Sequence, residues 1–109
     1  MPEKASQQPW IVKPASTAAR KDWDAAMVAR PDIMRAELER LRTRPLERTN
    51  PRRTAKLQGN LRYRKIGDRR YEQWQQEITG AGRLWYCPDK AARTIWITKV
   101  SLSHPKDSE

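Results

Sequence analysis

The chain has 109 residues and a mass of 12.8 kDa, enough for one domain with a modest core and too short for two. It carries 23 Lys and Arg against 13 Asp and Glu, a net charge of +10, and has no apolar run near the length of a membrane span and no signal-peptide core. A cytoplasmic protein with a polyanionic partner is therefore expected. A single cysteine, Cys87, and a single histidine, His104, exclude an internal disulfide and a metal cluster of thiolates or imidazoles, so no metal and no cofactor is expected.

Residues 1–9 are polar and are expected to be mobile. Trp10-Ile11-Val12 is a short β-like patch suited to an edge strand before Pro14 breaks it. A helix is predicted from Ser16 or Thr17, either of which can cap it, to about residue 30, with Ala19, Trp23, Ala26 and Met27 on one side. Pro31 suits the first turn of a second helix, in which Met34, Leu38 and Leu41 form an apolar stripe while Glu37 and Glu39 face water; Pro45 ends it. The pair makes an antiparallel helical hairpin.

Residues 47–54 read as a basic loop interrupted by Pro51. Strands are predicted near residues 61–66 and 71–79, separated by a Gly67-Asp68 turn, with Trp74 and Ile78 on one face and Gln75 and Glu77 on the other. After Gly80-Ala81-Gly82, residues 83–87 and 94–103 form a further hairpin around Pro88-Asp89-Lys90. If Leu84, Tyr86, Ile95 and Ile97 face the helices, Arg83, Trp85, Trp96 and Thr98 face away. Strict alternation then adds Val100, Leu102 and His104 to that second face. The expected fold is α+β, the whole chain forming a single domain in which a helical hairpin packs on a twisted antiparallel sheet of about four strands.

Charge placement narrows the partner. Residues 40–70 hold 12 Lys or Arg and 2 acids, so the whole excess lies in one segment. A band that dense attracts nucleic-acid phosphates; a solubilising face or an acidic protein partner are the alternative readings. Lys56, Arg62, Arg64, Arg69, Arg70 and Lys106 are candidate RNA contacts, with Trp85 and Trp96 as stacking platforms for unpaired bases. Arg83 offers a planar, permanently charged fork for a phosphate, and His104 a proton donor near neutral pH. Cys87 is read as a half-buried strand residue without a chemical role.

The run from Trp74 through Arg83-Leu84-Trp85-Tyr86, the acidic turn, the β-rich strand and His104-Pro105-Lys106, preceded by Lys56-Leu57-Gln58-Gly59, resembles the RelE/ParE superfamily of type II toxins. The spacing is most similar to its YoeB-like ribonuclease branch, and the matching region covers residues 56–106. The resemblance implies two helices packed on an antiparallel sheet, an endoribonuclease acting on messenger RNA at the ribosome, and a cognate antitoxin that neutralises it. It further implies that Arg83 holds the scissile phosphate and that His104 is the general acid. The strand ahead of Arg83 lacks the lysines of RelE-like members, and Ala55 stands where the YoeB-like glutamate base is found. Glu77, or Glu72, is the residue-level candidate for the base. These departures keep open a ParE-like inhibitor of DNA gyrase, and a non-toxic basic module that binds RNA or the ribosome.

Overall fold

The computed structural model describes residues 8–48 and 52–102. Residues 1–7, expected to be mobile, and the candidates His104 and Lys106 lie outside that span. The chain opens with strand β1 (Ile11–Pro14) and passes into helix α1 (Thr17–Ala29). Ser16 is the cap: its Oγ accepts from the Ala19 amide at 3.0 Å, satisfying one of the free donors of the first turn. Arg30 adopts φ −137° and ψ 70°, outside the helical region that a following proline disfavours, and so turns the chain into helix α2 (Pro31–Thr43).

The helices bury Ala19, Ala26, Met34 and Leu41, with Trp23, Met27 and Ile33 packed around them, on the face that meets the sheet. One expectation about α2 is corrected. Glu37 does not face water but is buried, taking Arg40 Nε at 3.1 Å and Gln76 Nε2 at 3.5 Å on its two carboxylate oxygens. Among the described residues, no helix is long and apolar enough to cross a membrane.

The remaining strands are β2 (Thr54–Lys56), β3 (Tyr63–Ile66), β4 (Arg69–Glu72), β5 (Trp74–Glu77), β6 (Arg83–Asp89) and β7 (Thr94–Ser101). Among the described residues, five of the seven strands form one sheet in the order β1-β7-β6-β5-β2, while β3 and β4 pair only with each other. The expected antiparallel sheet of about four strands is thus a mixed sheet of five plus a separate hairpin. Two segments account for the difference. The Trp10-Ile11-Val12 patch does become an edge strand, but it runs parallel to β7, with Ile11 opposite Thr94 and Pro14 opposite Ile97. Residues at the end of the predicted loop form β2, an edge strand antiparallel to β5.

The predicted 71–79 strand is also divided. At Gln73 the backbone N–H donates to the Arg62 carbonyl and the C=O accepts from the Leu57 amide, so the chain leaves the hairpin there and enters the main sheet. Gly67, at φ +65°, makes the hairpin turn in a conformation that side-chain-bearing residues rarely adopt.

Between β6 and β7 the register shifts by one residue. Trp85 lies opposite Lys99, Tyr86 opposite Ile97, and Thr98 is the extra residue of a bulge. Beyond the bulge the alternation is inverted: Val100 sits opposite Leu84 and is buried on the helix side, Leu102 packs against the same core, and Lys99 joins the second face in their place. The strict alternation expected for Val100 and Leu102 is thus overturned, and with it the argument that set His104, outside the described residues, on the face of Arg83. The core on the helix side is Trp74, Leu84, Tyr86, Ile95, Ile97 and Val100, with the Trp74 and Tyr86 rings 6.1 Å apart.

Candidate functional site

The sheet face turned away from the helices carries the candidate chemistry. Glu77 on β5 lies directly opposite Arg83 on β6, and Gln75 directly opposite Trp85, so alternation places all four side chains on that face. Arg83 Nη1 is 3.8 Å from Glu77 Oε2 and donates to the Gly82 carbonyl at 2.8 Å. Both side chains remain about one-third exposed, at 31% each. The connection that delivers Arg83 is tight. A Cβ at Gly82 would lie 2.5 Å from Thr79 Oγ1 and 3.1 Å from the Ser101 carbonyl, so only glycine fits where that loop closes on β7.

Trp85 is fixed beside this pair. Its indole N–H donates to Gln75 Oε1 at 2.8 Å, and Lys99 Nζ lies 5.9 Å from the ring centroid. On the other side of Glu77, Arg53 donates from Nε and Nη2 to the Glu77 carbonyl at 3.2 and 2.7 Å. The face therefore brings together one carboxylate, three cations and an indole. Arg53 and Lys99 were not legible as members: Arg53 sits in a segment that reads as loop, and Lys99 enters only through the bulge.

Trp96 shares this face, opposite Cys87, but its neighbour is Lys13, 5.9 Å from the ring, and it makes no ring contact with Trp85. Cys87 is buried, and that burial pushes its thiol up to about 12, with nearby Arg64 pulling weakly the other way. It is no thiolate at neutral pH.

The β3–β4 hairpin overlies the far end of β6. The Tyr71 hydroxyl donates to Asp89 Oδ2 at 3.1 Å, and the Thr98 hydroxyl to Gln73 Oε1 at 2.5 Å. The face is open around Arg83 and Trp85 and covered toward Asp89. The remaining candidate RNA contacts are spread over this outer layer. Arg62, Arg64, Arg69 and Arg70 are exposed on or beside the hairpin, whereas Lys56, opposite Trp74, is paired with Glu72 at 3.4 Å. Glu72, the second candidate base, is thereby engaged away from Arg83. Among the described residues no group of three or more His, Cys, Asp or Glu side chains converges.

In comparisons with known proteins, no family model, no curated protein and no solved structure matches this chain.

Proposed function

We propose that the chain is the toxin of a type II toxin–antitoxin pair, an endoribonuclease that cuts messenger RNA at the ribosome without a metal. The observation that carries this reading is the Glu77–Arg83 pair, a carboxylate and a guanidinium 3.8 Å apart on an open sheet face beside an ordered indole. The Glu77 carboxylate takes the proton of the 2′-hydroxyl, whose oxygen attacks the phosphorus. Arg83, joined by Lys99, binds the phosphate oxygens and stabilises the charge that builds on them. The bond to the 5′-oxygen breaks, leaving a 2′,3′-cyclic phosphate, and the departing oxygen takes a proton from His104, the acid that the RelE/ParE resemblance implies. Trp85 offers a platform on which a base next to the scissile bond stacks.

Expression under tight control, with transcript ends mapped, tests this. Wild type is expected to arrest growth and cut translated messages, while Arg83→Ala and Glu77→Gln each lower cleavage about 10²–10⁴-fold. If both variants cut and arrest growth like wild type, the assigned site is wrong.

A second reading, a non-catalytic ParE-like inhibitor of gyrase, is favoured by one observation. Arg83 Nη1 is already held by the Gly82 carbonyl, as a purely structural arginine would be. In the same experiment that reading gives DNA-damage signalling with intact messages.

A further inference from the structure

Among the described residues the hairpin β3–β4 pairs with no other strand, and its two faces differ. Tyr71, whose hydroxyl reaches Asp89, shares a face with Arg64 opposite it, so this side turns toward β6. The opposite side, with Tyr63, Lys65 and Arg70, turns outward, and Arg62 adjoins it at the base of β3. There the Arg62 and Arg70 guanidiniums lie 5.2 and 4.7 Å from the centroid of the exposed Tyr63 ring. A guanidinium over a ring face spends no hydrogen-bond donor there, and neither side chain has an acidic partner among the described residues, so both keep N–H groups for phosphate oxygens.

The charges on this surface are not neutralised within the described residues. Lys65 and Arg70 are directly opposite each other, a like-charge cross-strand pair that weakens the ribbon. Glu72, the carboxylate on the same face, is taken by Lys56. An arrangement that disfavours the isolated hairpin is relieved by an anion bridging the two strands.

We propose that the outward face of this hairpin, built from Arg62, Tyr63, Lys65 and Arg70, is an RNA-backbone binding site separate from the Glu77–Arg83 site. The choice of RNA rests on the proposed function; the phosphate chemistry rests on the hairpin alone. The contacts are to phosphates and carry no base preference. The hairpin is anchored at Asp89, the end of β6 remote from Arg83, and the seven-residue strand spans about 20 Å. A strand cut at Arg83 therefore needs several further nucleotides to reach the hairpin, which makes it a grip on long or folded RNA.

The test uses the full chain and fluorescein-labelled 2′-O-methyl RNA, which lacks the attacking hydroxyl, so binding is read whether or not the protein is a nuclease. A 20-nucleotide single strand and a stem-loop serve as the two sources of backbone, and polyglutamate represents an acidic protein surface. The triple variant Arg62→Gln, Lys65→Gln, Arg70→Gln is expected to bind at least one of the two RNAs about tenfold more weakly, and its log Kd against log salt slope falls by about 2, one contact per lost cation. The RNA that loses more identifies the source. Arg83→Ala lowers the slope by less than 1. In the absence of RNA, Lys65→Gln alone raises the urea midpoint, because it removes the repulsion across the strands, yet still weakens binding; this guards against loss of binding through misfolding. Unchanged affinity and slope for both RNAs in the triple variant overturns the proposal. So does a loss confined to polyglutamate, which would make the hairpin a protein-docking surface.

Discussion

Cys87 shows how a single side chain sets a pH limit on this fold. Burial on the sheet raises its thiol to about 12, whereas the unfolded chain releases the same proton near 9.0. A raised folded-state pKa gives stability that is complete below the unfolded value and is lost as pH rises toward the folded one. Stability is therefore expected to fall from about pH 9 by about 1.4 kcal/mol per pH unit. Urea denaturation of wild type and Cys87→Ala at pH 7, 9.5 and 10.5 checks this: the variant starts lower but declines less steeply. Tyr86, also raised by burial, adds loss of the same sign at higher pH in both proteins. Of the site residues, Glu77, Arg83 and Trp85 could be placed on one face from alternation alone, because strict pairing holds from Trp74 opposite Tyr86 to Glu77 opposite Arg83. Lys99 could not, since nothing in the sequence marks Thr98 as the residue that leaves the ladder.

At the level of the element, α2 departs most from its pattern. Its stripe of Met34 and Leu41 was legible as a helix face, but Glu37 lies on that buried side because its partners come from two places, Arg40 one turn on and Gln76 from β5. Gln76 is in turn bonded by the Thr54 hydroxyl, and the Arg40 guanidinium lies 5.5 Å from the Tyr86 ring. This chain of polar groups joins α2 to three strands across the core. Removing the carboxylate leaves the largely buried Arg40 charge uncompensated, so Glu37→Ala is expected to lose about 3 kcal/mol, read as a fall in urea midpoint, and Glu37→Gln less. A glutamate paired to a residue far along the chain looks, in sequence, like any solvent-facing one. Strand β2 was hidden for a different reason: three residues are too few to show a period of two.

Across the whole molecule, the order of two helices followed by strands gave the α+β class, but the mixed sheet depends on a contact between the chain's beginning and its end. Trp10 is the junction. Its amide donates to the Arg42 carbonyl at the end of α2, and Arg93, in the β6–β7 turn at φ +48°, lies 4.9 Å from its ring. Trp10→Ala is expected to remove about 3–5 kcal/mol, a large share of the 5–15 kcal/mol typical of a domain, with the urea midpoint falling and its m-value unchanged. The basic band is likewise a property of the tertiary structure. It runs from the end of α2 through β2 to the outer hairpin, so the cations adjacent in sequence divide between two surfaces, Arg53 beside Glu77 and Arg62, Lys65 and Arg70 on the hairpin.

Both rims of the main sheet are short. One is the three-residue β2, and the other is β1, which carries Lys13 and ends at Pro14, a residue with no amide hydrogen to offer. A stray chain seeking to extend the ladder finds few free donors at either border. Short borders of this kind limit edge-to-edge pairing beside the half-buried indole of Trp85.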